Sequence, residues 1–140
     1  MTTTHADKGP SGCAWLLYIP LLPIVFFVVQ TFFEPTVTVH YAENAKEELK
    51  YIWNVQHRIY KGQMRPGGGT SDKGFIFPDE DFFMHFNWWS DKGRRHCVSI
   101  TPKWPNTNIY LDLNGNIDTV KTFGTDEERL DQCKGDWAKP

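Results

Sequence analysis

Between Cys13 and Phe33 the chain carries no charged residue, and elsewhere it carries no excess of basic ones. Its 140 residues hold 15 Lys and Arg against 17 Asp and Glu, a formal net charge of -2. Setting aside Asp7 and Lys8, the only charges before Glu34, leaves 14 basic and 16 acidic side chains. That balance excludes the electrostatic footprint of a nucleic-acid binder. Cysteine is scarce, with three in all, so no dense disulfide framework is possible. No internal repeat is visible. Catalytic signatures are also missing. There is no Gly-x-Ser-x-Gly elbow, and His40, His57, His85 and His96 lack His-Glu-x-x-His spacing. Pro66-Gly67-Gly68-Gly69 is a loop and no phosphate cradle, because no Gly-Lys-Ser/Thr follows it.

What the chain has instead is a segregated apolar run and many aromatics, 15% of all residues. The run 13–33 has the length to cross the roughly 30 Å hydrocarbon core of a bilayer as a helix. Trp15 and Tyr18 stand near one end and Phe32 and Phe33 at the other, like an interfacial aromatic belt. Pro20 and Pro23 are tolerated in a membrane helix, where they give a kink. A cleaved signal peptide needs a basic start, a shorter apolar core and a small-residue cleavage site, and Gln30-Thr31-Phe32-Phe33-Glu34-Pro35 supplies a poor one. A lipoprotein needs its apolar run before the cysteine, whereas Cys13 precedes it here. The expectation is therefore a retained single-pass transmembrane helix over 13–33, after a short disordered tail, 1–12. The sparse basic residues lean toward a short cytoplasmic tail, a bacterial inner-membrane location and a periplasmic domain over 34–140.

Residues 34–140 read as a mainly β domain, a small antiparallel sheet or sandwich of about six strands with a short C-terminal helix. Thr36 to Tyr41 alternates, with Val37, Val39 and Tyr41 on one face. Tyr51, Trp53 and Val55 alternate too, although a helix over 43–60 competes there. Phe75-Ile76-Phe77 reads as a short strand. Phe82 to Trp89 is an aromatic strand with Phe82, Met84, Phe86 and Trp88 on one face and Phe83, His85, Asn87 and Trp89 on the other. After a Ser90–Gly93 connection, Arg94 to Ile100 returns with His96, Val98 and Ile100 on one side. Ile109, Leu111 and Leu113 alternate before Asn114-Gly115, which predicts a two-residue hairpin with Asn116 to Val120 returning. Thr125 with Glu128 resembles a capping box opening a helix that ends near Cys133.

Few constellations carry chemistry. Cys97 and Cys133, the only cysteines outside the run, form an even pair that reads as a disulfide if the domain is exported. Asp112, Asn114, Asn116 and Asp118 resemble the start of a calcium loop, but Ile117 and Phe123 stand where that loop needs Gly and Glu. No metal site and no cofactor are expected. His96 and Cys97 are adjacent on a strand and point to opposite faces, which argues against a nucleophile–base pair. The remaining signal is recognition. Trp89, Arg94, Arg95 and Trp104 lie in or beside loops, and Trp and Arg dominate interface hot spots. At least one of the neighbouring tryptophans belongs to the core by alternation.

Cys97-Val98-Ser99-Ile100-Thr101-Pro102-Lys103-Trp104-Pro105, following Gly67-Gly68-Gly69, resembles a pattern in a family of small bacterial envelope proteins of unknown function. That pattern has a glycine-rich loop, then Cys-Val-Ser-Leu-Pro, a basic residue, Trp and Pro, then an alternating strand. Its proteins are lipoproteins or singly anchored. Some resemble immunity proteins of type VI secretion effectors, including phospholipase-type toxins. The resemblance covers roughly 36–113. His96 stands where the family often has a second cysteine, and Phe75 to Gly93 is an apparent insertion.

The sequence thus leads to a membrane-anchored envelope binding protein that is not an enzyme. It touches membrane lipid through its N-terminal helix and binds another protein, a toxin or a membrane-complex subunit, through Trp89, Arg94, Arg95 and Trp104. As an immunity protein it would neutralise a secreted antibacterial effector by occlusion. The alternative is an accessory structural subunit of a membrane protein complex.

Overall fold

The structure is a computed structural model that describes the backbone of residues 15–93, 95–120 and 124–133. The chain divides into two units, Met1–Phe33 and Glu34–Pro140. In the first, helix α1 spans Trp15–Phe33 with Pro20 and Pro23 inside it and no charge in its first or last turn. Its described large apolar side chains, from Ile19 to Val29, are all exposed. Among the described residues no helix is long and apolar enough to cross a membrane. Cys13 and Ala14, where the expected span begins, lie outside those residues, as do the tail 1–12 and the side chains of 15–18, Gln30 and Thr31. The structure therefore gives a helix over most of the run and, on its described residues, no span.

The second unit is mainly β. Eight strands follow in order: β1 Thr36–Tyr41, β2 Leu49–Val55, β3 Arg58–Met64, β4 Gly69–Lys73, β5 Met84–Trp89, β6 His96–Ile100, β7 Asn106–Leu111 and β8 Leu130–Gln132. They form a three-stranded sheet, β4-β1-β7, and a five-stranded sheet, β3-β2-β5-β6-β8. The larger sheet is antiparallel throughout. In the smaller one β1 runs antiparallel to β4 but parallel to β7. A parallel neighbour needs a long crossover; here residues 42–105, which include four of the five strands of the larger sheet, supply it.

Period-two alternation decides which side chains meet. Val37, Val39 and Tyr41 of β1 and Ile109 and Leu111 of β7 turn toward the larger sheet. That sheet answers with Leu49, Trp53 and Val55, with Met84, Phe86 and Trp88, and with Val98 and Ile100. Phe86 lies between two indoles, 4.5 Å from the Trp53 ring and 5.3 Å from the Trp88 ring. Both buried indole N–H groups find partners. Trp53 Nε1 donates to Thr70 Oγ1 of β4 at 3.1 Å, and Trp88 Nε1 donates to the Gly115 carbonyl at 2.6 Å. Gly115 holds φ +78°, the left-handed turn conformation that Gly adopts without penalty.

The strand expected at Tyr51, Trp53 and Val55 forms as β2, and the competing helix over 43–60 does not; β2 runs into β3 through Gln56-His57, with His57 at φ +67°. Three expectations are corrected. Phe75-Ile76-Phe77 forms no strand, and Phe75 packs edge-on against Phe82 with the Arg58 guanidinium 5.7 Å from its ring. The expected return strand after Asn114-Gly115 shrinks to one bridge, Leu111 to Ile117. Only Gly115 takes positive φ there, because the Asp112 carboxylate accepts from the amides of Asn114 and Asn116 and shapes the turn itself. The C-terminal helix is a three-residue 3-10 turn, Glu127–Arg129, followed by β8. Thr125 caps nothing; its hydroxyl accepts from the Tyr110 amide. The edge of β7 thus takes residues 125–126 that would have opened the helix, since Asn108 N and Asp126 Oδ2 also bond.

The indole at position 88 carries both apolar volume and a cross-sandwich hydrogen bond. Trp88→Ala is expected to cost about 3–5 kcal/mol. Trp88→Phe keeps most of the volume but leaves the Gly115 carbonyl unpaired, at about 1–3 kcal/mol. Denaturant melts of both variants check this; equal, small losses would contradict it.

A groove on the outer face of the larger sheet

Because Trp53, Phe86 and Trp88 face inward, their strand neighbours face outward. Cross-strand pairing sets them in rows. Lys61 of β3 lies beside Ile52 of β2, Ile52 beside Asn87 of β5, and Asn87 beside Cys97 of β6. One step along β2 and β5, Lys50 pairs with Trp89. Ile52, Lys61, Asn87 and Trp89 of these rows, with Asn54, Ile59 and Arg95, line a groove of about 280 Å³. A neighbouring hollow of about 440 Å³ shares Ile52, Lys61 and Trp89 with it and adds Lys50 and Gln63.

The surface is apolar at its centre and cationic at its edge. Ile59 is 65% exposed, unusual for a strand isoleucine. The Arg95 guanidinium sits 5.0 Å from the Trp89 ring, a cation–π stack that holds both groups at one end of the groove. Among the described residues no carboxylate lines either hollow. Lys50 pairs with Asp91 of the Ser90–Gly93 turn. His85 continues this face, and burial lowers its pKa below the usual imidazole value, so it stays neutral near pH 7 and adds no charge.

Asn87 is the unusual residue. It is 95% buried, on the groove side of the sheet, and its Oδ1 has no hydrogen-bond partner. A buried amide oxygen left this way costs about 1–3 kcal/mol. Native folds retain such a group where something else satisfies it.

Beside this row lies the cysteine pair. Cys97 and Cys133 are brought together in disulfide geometry, with Cα atoms 5.7 Å apart. Cys97 pairs with Asn87 across the strands, so the sulfur bridge borders the groove. It also pins β8, a three-residue edge strand, to β6.

Of the four residues expected to bind a partner, the structure brings two together. Trp89 and Arg95 are in contact. Arg94 lies outside the described residues. Trp104 is 59% exposed but follows β6, whereas Arg95 precedes it. Trp89 and Arg95 share the groove with Ile52, Ile59, Lys61 and Asn87, which sequence reasoning missed. One signal was readable. Ile52 falls on the polar face of β2 between Lys50 and Asn54, and an isoleucine there marks a sticky outer face.

Other clusters offer less. His40 stacks on Tyr110 at 4.5 Å beside a hollow of about 610 Å³ that Glu43, Asp112 and Asp118 also line. Asp112 spends its carboxylate on the turn, and among the described residues no group of three or more His, Cys, Asp or Glu is placed to hold a metal ion. Burial raises the Tyr41 phenol above its usual pKa, with the Glu47 and Asp112 carboxylates adding to the effect. It stays protonated and donates to the Glu47 carbonyl at 3.0 Å.

The chain matches no family model, no curated protein and no solved structure.

The cysteine geometry yields a measurable expectation. Closing a loop of sequence separation 36 stabilises by about 3–4 kcal/mol in the chain-entropy model. Oxidised protein should show linked 97 and 133 peptides by mass spectrometry, and Cys133→Ser should lose about that much stability. Two free thiols in protein purified under oxidising conditions would contradict the pairing.

Proposed function

We propose that this chain is a membrane-anchored binding protein of a bacterial envelope, whose β domain docks another protein through the groove on its larger sheet. Neutralising a secreted effector by occlusion is the form of that activity that the sequence resemblance favours. The observation that carries the reading is the outward Trp89–Arg95 stack beside exposed Ile59. Aromatic and Arg anchors next to uncovered apolar area are the composition of an interface centre. The charge-free run over 13–33 supports the anchor. The cysteine geometry supports an oxidising compartment, which for a bacterial inner-membrane protein is the periplasm.

Affinity purification of the full chain from native membranes tests the reading. Trp89→Ala and Arg95→Ala should each lose a protein that the parent and Trp104→Ala retain, with melting temperatures unchanged. A truncated hot spot of this kind costs about 2 kcal/mol or more of binding. Partner loss only with Trp104→Ala would move the interface to the other end of β6. Collapsed melting of Trp89→Ala with the partner retained would assign the indole to the fold.

A further inference from the structure

We infer that the groove accepts an acidic, extended segment of the partner protein, and that this segment donates a hydrogen bond to Asn87. The inference rests on the docking reading above and specifies its chemistry. Charge comes first. Lys61 and Arg95 line the groove, Lys50 lines the adjoining hollow, and among the described residues no Asp or Glu lines either. Among the described residues neither Lys61 nor Arg95 forms an ion pair, whereas Lys50 already holds Asp91. Two uncompensated cations on one face of a chain with net charge -2 select an anionic partner and disfavour a basic one.

Shape comes second. The two hollows share Ile52, Lys61 and Trp89, so the lined surface runs without a break from Gln63 to Ile59. A ligand that covers it is extended. Alternating residues of such a segment can set apolar side chains on Ile52, Ile59 and Trp89 and carboxylates on Lys61 and Arg95. Asn87 comes third. Its partnerless Oδ1 accepts only and is closed to solvent, so a donor reaches it only where the groove opens around Asn87 as the segment binds. A site with a buried unpaired acceptor discriminates strongly in favour of ligands that supply the donor.

The test uses the full chain in zwitterionic nanodiscs and three acetylated octapeptides, of alternating Leu–Glu, Leu–Gln and Leu–Lys. The side-chain resonances of Trp89 and Asn87 are followed by NMR. The Leu–Glu peptide should shift both and saturate, while the Leu–Lys peptide shifts neither. Lys61→Glu with Arg95→Glu should weaken Leu–Glu binding at least tenfold. Asn87→Leu should weaken it similarly. If Asn87→Leu fails to fold, the charge-reversed pair, on exposed side chains, decides the acidic chemistry, and the Asn87 side-chain resonance of the parent decides the donor: no shift at Leu–Glu saturation would overturn it. Leu–Gln or Leu–Lys binding as tightly as Leu–Glu would overturn the acidic chemistry while leaving a docking groove. Undiminished binding to folded Asn87→Leu would overturn the donor. No shift of Trp89 with any peptide would overturn the inference and count against the docking reading itself.

Discussion

Two tryptophans buried with their N–H groups satisfied across the sandwich organise the β domain. An indole in a core is stable only when its N–H finds an acceptor. Trp53 finds Thr70 on β4, and Trp88 finds the carbonyl of Gly115 in the turn beyond β7. Each bond ties the larger sheet to a distant part of the chain, and Phe86 fills the space between the rings. With these residues fixed inward, no one-residue slip of β2 or β5 is possible without exposing them. The outer row of Ile52, Asn87 and Trp89 is the other half of the same alternation. The groove follows from the core.

How much of this was legible depends on whether a local signal existed. Strand β1 was readable to the residue because Val37, Val39 and Tyr41 alternate against polar neighbours. The inward faces of β5 and β6 were readable for the same reason, as was the pairing of the two cysteines outside the apolar run. Strand β3 was not. The hairpin before it turns at His57, a residue in left-handed conformation where Gly or Asn normally signals the turn. Strand β4, Gly69-Thr-Ser-Asp-Lys73, has no large apolar residue; pairing with β1 alone makes it a strand. At the C-terminus, local helix signals at Thr125 and Glu128 lost to tertiary bonds. The β7 edge took Thr125 and Asp126, and β6 took Leu130 to Gln132.

The site inherits those gaps. Trp89 and Arg95 were readable as interface residue types, but their neighbours Ile59 and Lys61 sit on the strand that gave no signal. Trp104 was grouped with them because one loop follows one strand in sequence. In the fold Arg95 precedes β6 and Trp104 follows it, and Trp104 does not line the groove. Asn87 could be placed on the outer face by alternation, yet nothing in the sequence says that its Oδ1 is left without a partner.

The central claim is that the outer face of the larger sheet meets another protein. A photo-crosslinking residue placed at Ile59 in the full chain, irradiated in its native membrane, tests this most directly. Leu113, also a large exposed apolar residue at 54%, does not line the groove and serves as the reference position. The account predicts one discrete crosslinked protein from position 59, abolished by Arg95→Glu, and none of that size from position 113. No adduct at 59, or the same adduct from both positions, would contradict it.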